Sequence, residues 1–207
     1  MFGNITAHGE LYLYPDKPPS NLVWVDPKGH TNYWCSVTGG KSGSSSSPRT
    51  ESRETLPDSN VSHNWTANFE ERHTMSGTVR VELAPTSGKV IVGQIHAEKA
   101  PNPFLMVTWW NGVARVDMRD TPNNDARKVL SVPCPLSKSF KYIIEIDEDN
   151  MLYINLNGLE IAVPVRTEWE QYPFYFKAGA YVIDKVGPVE EGGWVVYEQF
   201  DFSHLEV

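Results

Sequence analysis

Two Asn-Gly pairs, Asn111-Gly112 and Asn157-Gly158, most constrain what this chain can fold into. A two-residue hairpin turn needs positive φ at both central positions, which Asn and Gly tolerate better than other residues. Each pair lies between two strand-like runs. Phe104–Trp109 and Val113–Met118 flank the first, and Met151–Leu156 and Leu159–Val165 flank the second. Each pair therefore predicts two adjacent antiparallel strands. Val79–Leu83, Val90–Ala97 and Tyr142–Ile146 also read as strands, and Asp147-Glu148-Asp149-Asn150 reads as a polar turn. Helical spacing is nowhere sustained; Thr167–Gln171 predicts one helical turn. Many short strands punctuated by 15 prolines and 15 glycines predict an all-β protein, a β-jelly roll sandwich of two antiparallel sheets.

The 207 residues are expected to form one domain, 1–207, large enough to bury a substantial core. The low-complexity segment Gly39–Ser47 reads as a surface loop inside that domain, because the residues before it are too few to fold alone. No apolar run approaches the ~20 residues that span a membrane. The start, MFGNITAHGEL, lacks a basic segment followed by an apolar one, so no signal peptide is read there. Sequons at Asn4, Asn60 and Asn64 are weak evidence for secretion. Net charge is −8, which argues against nucleic acid as a partner. A local basic cleft can still override that total. Cys35 and Cys134 are too far apart for a CxxC motif and read either as one disulfide or as two buried thiols.

Three segments carry polar chemistry on one strand face each. In PRTESRE (48–54), Arg49, Glu51 and Arg53 alternate and so share a side. In the strand ending QIH, Gln94 and His96 stand side by side, opposite Ile91 and Ile95. In FYFKAGAYV, Phe174, Phe176, Ala178, Ala180 and Val182 form an apolar face, while Tyr175, Lys177, Gly179 and Tyr181 form the other. Glycine inside a strand marks close approach of a ligand or another backbone. Each segment alone reads equally well as a solvated face. If adjacent in one sheet, the three would line a concave groove suited to an acidic polymer.

RTESR, QIH and YFKAGAY, in this order, resemble the motifs of alginate lyases of polysaccharide lyase family 7. The family pattern has Leu or Val where Ser52 stands, and Asn-Gln where Val182-Ile183 stands. The resemblance implies β-elimination on a 1,4-linked polyuronate, most simply alginate and with a lean to guluronate-containing substrates, giving unsaturated uronate ends. Glucuronan or another polyuronate is the alternative substrate. A non-catalytic carbohydrate-binding jelly roll is the alternative class. The C5 proton is weakly acidic because the neighbouring carboxylate is already negative, so that charge must be neutralised. The implied catalytic set is Gln94, His96, Tyr181 and Arg49. Gln94, an arginine and His96 would neutralise the carboxylate, and Tyr181 would protonate the leaving oxygen. His96 would take the proton from guluronate, and the Tyr181 phenolate from mannuronate.

Arg53, Glu51, Lys177, Tyr175, Trp109 and His63 are the expected substrate-binding residues, Glu51 by holding its two arginines in place. Trp109 and Trp110 point opposite ways, so at most one is a sugar platform. Ser52 on the inner face predicts looser packing of its strand. His8, His30, His63, His73 and His204 show no ligand spacing, and neither metal nor cofactor is expected. The polymer implies an extracellular, secreted enzyme, expected to act as a monomer.

Overall fold

The computed structural model describes residues 22–41, 47–56, 61–67 and 71–206. Asn4, His8, Asn60 and most of the serine-rich loop lie outside these. Among the described residues thirteen strands run in chain order: β1 (Val23–Val25), β2 (Thr31–Ser36), β3 (Arg49–Arg53), β4 (Glu71–Leu83), β5 (Lys89–Ala97), β6 (Leu105–Trp110) and β7 (Val113–Met118) come first. β8 (Arg127–Pro133), β9 (Ser139–Ile146), β10 (Met151–Leu156), β11 (Leu159–Pro164), β12 (Phe174–Val182) and β13 (Gly192–Glu206) follow. Among the described residues, a 3-10 turn, Thr167–Trp169, lies where the helical turn was expected.

Both predicted hairpins form. Asn111 and Gly112 have φ of 47° and 82°, and Asn157 and Gly158 have 51° and 84°. They join β6 to β7 and β10 to β11. The strands assemble into two antiparallel sheets. One has the order β1-β2-β13-β4-β9-β10-β11, and the other β3-β12-β5-β6-β7-β8. This is the jelly-roll sandwich read from the turns.

The longest strand, β13, has no counterpart in the sequence reading. Its register shifts at Trp194/Val195 and again at Tyr197/Gln199, so its apolar residues never hold a period of two over its length. β8 was missed too, because an outer strand keeps few buried positions to reveal an alternation.

The core lies between the sheets. Phe174, Phe176, Ala178, Ala180 and Val182 of β12 are all buried there, as their alternation predicted. Each large apolar side chain buried this way contributes roughly 1.5–3 kcal/mol. That face presses β12 inward and turns Tyr175, Lys177 and Tyr181 outward. Ser52 is buried as expected but not loose: its Oγ lies 2.8 Å from the hydroxyl of buried Tyr33. The serine thus satisfies a phenol from the opposite sheet, where a leucine would leave it unpaired. Cys35 and Cys134 are two buried free thiols.

Candidate active site

The register of β12 builds the site. On one side it pairs with β3, matching Lys177 to Arg53, Gly179 to Glu51 and Tyr181 to Arg49. On the other it pairs with β5, matching Tyr175 to His96 and Lys177 to Gln94. Residues paired across a sheet share a face. The three polar faces therefore merge into one, with β12 in the middle and β3 at the edge.

Gly179 makes this closeness possible. Its φ is 151°, and a β-carbon there would lie 2.3 Å from the Thr50 carbonyl oxygen and 2.7 Å from the Glu51 α-carbon. Of the two reasons for a glycine in this strand, the neighbouring backbone is the one realised. β12 also changes register against β5 between Ala178 and Tyr181, which re-aims Tyr181.

Glu51 sits at the centre of the face and is buried. Its Oε2 lies 2.5 Å from Lys177 Nζ and 3.6 Å from Arg49 Nη1, and its Oε1 accepts from Gln94 Nε2. Burial alone would raise its pKa; Lys177, Arg49 and the hydrogen bonds outweigh that and hold the carboxyl below its usual range. Of the two arginines expected to be held by Glu51, Arg49 contacts it and Arg53 does not. Arg53 turns away, donating from Nη2 to Asn64 Oδ1 at 2.6 Å and stacking over the Tyr175 ring at 3.6 Å. Asn64 also donates to Glu98 Oε2. Asn64 was read only as a sequon, yet its side chain orients a site arginine.

Arg49 lies over the Tyr181 ring, 3.8 Å from its centroid. His96 stacks on Tyr175 with 5.3 Å between centroids. His96 Nδ1 is 3.1 Å from the Ala97 carbonyl, which can only accept, so Nδ1 carries the proton and Nε2 keeps its lone pair. Burial, then repulsion from Lys177, lowers the His96 pKa to about 4. The imidazole is therefore neutral near pH 7, fitted to accept a proton rather than to neutralise a carboxylate. Gln94 Oε1 is buried without a protein partner among the described residues.

Two expected residues are not on this face. Trp109 is 5% exposed, belongs to the core and donates from Nε1 to the Cys134 carbonyl at 2.8 Å. Trp110 is the exposed member at 39%, with Lys89 Nζ and the Arg115 guanidinium each 5.1 Å from its ring. Pairing of Lys89 with Trp110 and of Thr108 with Arg115 extends the polar face onto β6 and β7, an extension that short-motif reading cannot find. His63 is also elsewhere: its Nδ1 lies 2.6 Å from Glu54 Oε1. Of the two departures at 182–183, Val182 is a core residue, so only half-buried Ile183 can bear on a ligand.

A jelly roll with one sheet that carries arginines, a neutral histidine and a tyrosine on one face has the architecture of a polysaccharide lyase. The chain belongs to the alginate lyase family, whose family model matches residues 11–204. An alginate lyase from Pseudomonas aeruginosa superposes with a TM-score of 0.79 at 27% identity, covering 88% of this chain and 86% of its own. Alginate lyase A1-II', a member of polysaccharide lyase family 7, gives 0.79 at 26%, covering 90% and 84%. A form of A1-II' with a histidine changed to asparagine and a tyrosine to phenylalanine holds the substrate GGMG; it superposes at 0.79 and 25% identity, covering 90% and 82%. No curated protein matches the chain.

Proposed function

We propose that this polysaccharide lyase cleaves alginate by β-elimination, using Arg49, Gln94, His96 and Tyr181. The observation that carries the reading is the β3–β12–β5 register, which sets Arg49 and Lys177 around the carboxylate of Glu51 and places Arg53 over Tyr175 on the same face. The excess of cations gives a protein of net charge −8 a locally positive face.

A uronate carboxylate entering this face meets Arg49 and the second N–H of Gln94. Both are held by Glu51, so they are oriented before substrate arrives and need little reorganisation as charge develops. With the carboxylate neutralised, the C5–H bond can break. His96 Nε2 accepts the proton from the face of a guluronate. The electron pair forms the C4–C5 double bond, and the C4–O bond breaks. Tyr181 O–H donates its proton to the departing glycosidic oxygen. On a mannuronate the Tyr181 phenolate takes the C5 proton instead and returns it to the same oxygen. Lys177 is committed to Glu51; it supplies positive potential and adds to burial in keeping His96 neutral.

Support also comes from A1-II', where the substrate-holding form is changed at a histidine and a tyrosine, the residue types assigned here as base and acid. We further infer that the chain acts as one secreted, monomeric catalytic domain, without metal or cofactor in the elimination itself. The test is absorbance from unsaturated uronate ends with alginate, polyguluronate, polymannuronate and glucuronan. A rise with alginate and its guluronate-rich fraction is expected. A rise with glucuronan alone would overturn the alginate assignment.

A further inference from the structure

Away from the polar face, the fold gathers four residues that are scattered in sequence. Glu54 follows β3, His63 lies in the segment 61–67, His73 is in β4 and His204 is in β13. His63 Nδ1 and His204 Nε2 converge on the same oxygen, Glu54 Oε1, at 2.6 and 2.5 Å. One ligand atom from each of Glu54, His63 and His204 lies within 4.8 Å of the others. The second oxygen of Glu54 is held by the Trp65 indole N–H at 3.1 Å and the Phe176 amide at 2.9 Å. The carboxylate is thereby locked with Oε1 toward the two imidazoles.

The proton inventory of the histidines is informative. His73 Nε2 faces the Thr66 carbonyl at 3.2 Å, and a carbonyl only accepts, so Nε2 of this fully buried ring carries the proton. His73 Nδ1 is then an acceptor, 2.7 Å from His204 Nδ1, which must donate. With its Nδ1 proton assigned, His204 turns Nε2 toward an ionised carboxylate oxygen. In a neutral ring that nitrogen carries only a lone pair, and two lone pairs do not attract. The position calls for a cation between them, either an added proton or a metal ion.

We infer that Glu54, His63 and His204 form a binding site for a divalent transition metal of the zinc class. Two imidazole nitrogens and a carboxylate oxygen are a preferred zinc donor set. The His204–His73–Thr66 relay is the outer-shell hydrogen bonding that fixes a ligand's tautomer. A tetrahedral zinc with bonds of about 2.0–2.1 Å holds its donors about 3.3 Å apart, so each histidine nitrogen must draw back from Glu54 Oε1 by less than about 1 Å. His63 can supply that movement, since its side chain is 28% exposed and lies outside the sheets. Partial exposure of His63 and His204 leaves a fourth position open to water. The ion would be structural: it would tie the segment carrying Asn64, the partner of Arg53, to β13 of the opposite sheet.

The experiment is zinc incubation of the whole protein, exhaustive dialysis and elemental analysis, with Tm read in parallel. About one zinc per chain is expected, with a Tm rise. His204→Gln should lose both. His63→Gln, at a partly exposed position where folding is not at stake, should reduce retained zinc at least tenfold and abolish the Tm rise. His30→Gln, which alters the surface His30–Asp26 pair, should leave retention unchanged. Retention below a tenth of an equivalent in the unaltered protein would overturn the site. So would full retention in His63→Gln, or loss in His30→Gln instead.

Discussion

Glu51 Oε2 lies 2.5 Å from Lys177 Nζ, with the side chains 1% and 6% exposed. A buried ion pair at the centre of a substrate face makes the face both rigid and vulnerable. Removing one partner strands the other charge, which typically costs about 3–5 kcal/mol. Lys177→Met and Glu51→Gln should each destabilise by about that amount in urea unfolding. The double variant should recover a good part of the loss, because neither charge is then left alone. Both single variants should also lose most activity, since Arg49 and Gln94 take their orientation from Glu51.

Tyr181→Phe removes one transferable proton and little else. The ring keeps its volume and its place under Arg49. Turnover should fall by at least ~100-fold, the lower range for loss of a general acid. Binding of alginate oligosaccharides, measured by calorimetry, should change little. A variant that turns over at near-normal rate would remove Tyr181 from the proposed role.

The pH dependence follows from His96. Its pKa is lowered from 6.5 to about 4, so the base stays neutral well into the acid range. The acid limb of kcat/KM should therefore fall near pH 4, not near 6.5. The same shift affects stability with a definite sign. Between these pH values the unfolded histidine binds a proton and the folded one does not. Its contribution is thus complete above about pH 6.5 and is lost as pH falls toward 4. His96→Asn should abolish turnover of guluronate-rich substrate and lessen the acid decline of Tm over that window, where His73, also lowered to about 4 by burial, keeps its own share.

The two adjacent tryptophans should separate cleanly. Trp109→Ala empties a core position and should cost about 3–5 kcal/mol. Trp110→Ala should change stability by no more than about 0.5 kcal/mol. If the exposed ring with Lys89 and Arg115 contacts the polymer, KM should rise about two- to fivefold, the value of a surface ring contact of 0.5–1 kcal/mol. An unchanged KM would confine Trp110 to packing.

Gly179→Ala should be among the most damaging small substitutions. An added methyl meets the Thr50 carbonyl at 2.3 Å, in a conformation L-residues rarely adopt. We expect a loss well above ~1 kcal/mol and displacement of β3, with activity falling alongside Tm. Activity falling while Tm holds would mean that Gly179 serves a ligand rather than the neighbouring strand.

Local rules are strongest where one strand or turn decides its own conformation. The Asn-Gly turns, the inward face of β12 and the shared side of Arg49, Glu51 and Arg53 were all legible for this reason, because φ preference and a period of two are properties of consecutive residues. The same rules placed Trp109 and Trp110 on opposite sides but could not say which side faces the core; that depended on β7 and the packing of the second sheet. They failed at β13, where bulges reset the alternation. They could not foresee that Glu51 would hold Lys177 rather than Arg53, because that choice depends on the register of β12 against two strands distant in sequence. Nor could spacing reveal Glu54, His63, His73 and His204 as neighbours, since only the closing of one sheet over the other brings them together. The sequence alone determined which residues could share a face. Tertiary structure decided which faces meet, because strand register and sheet packing are set by burial summed over the whole core, and no short segment carries that information.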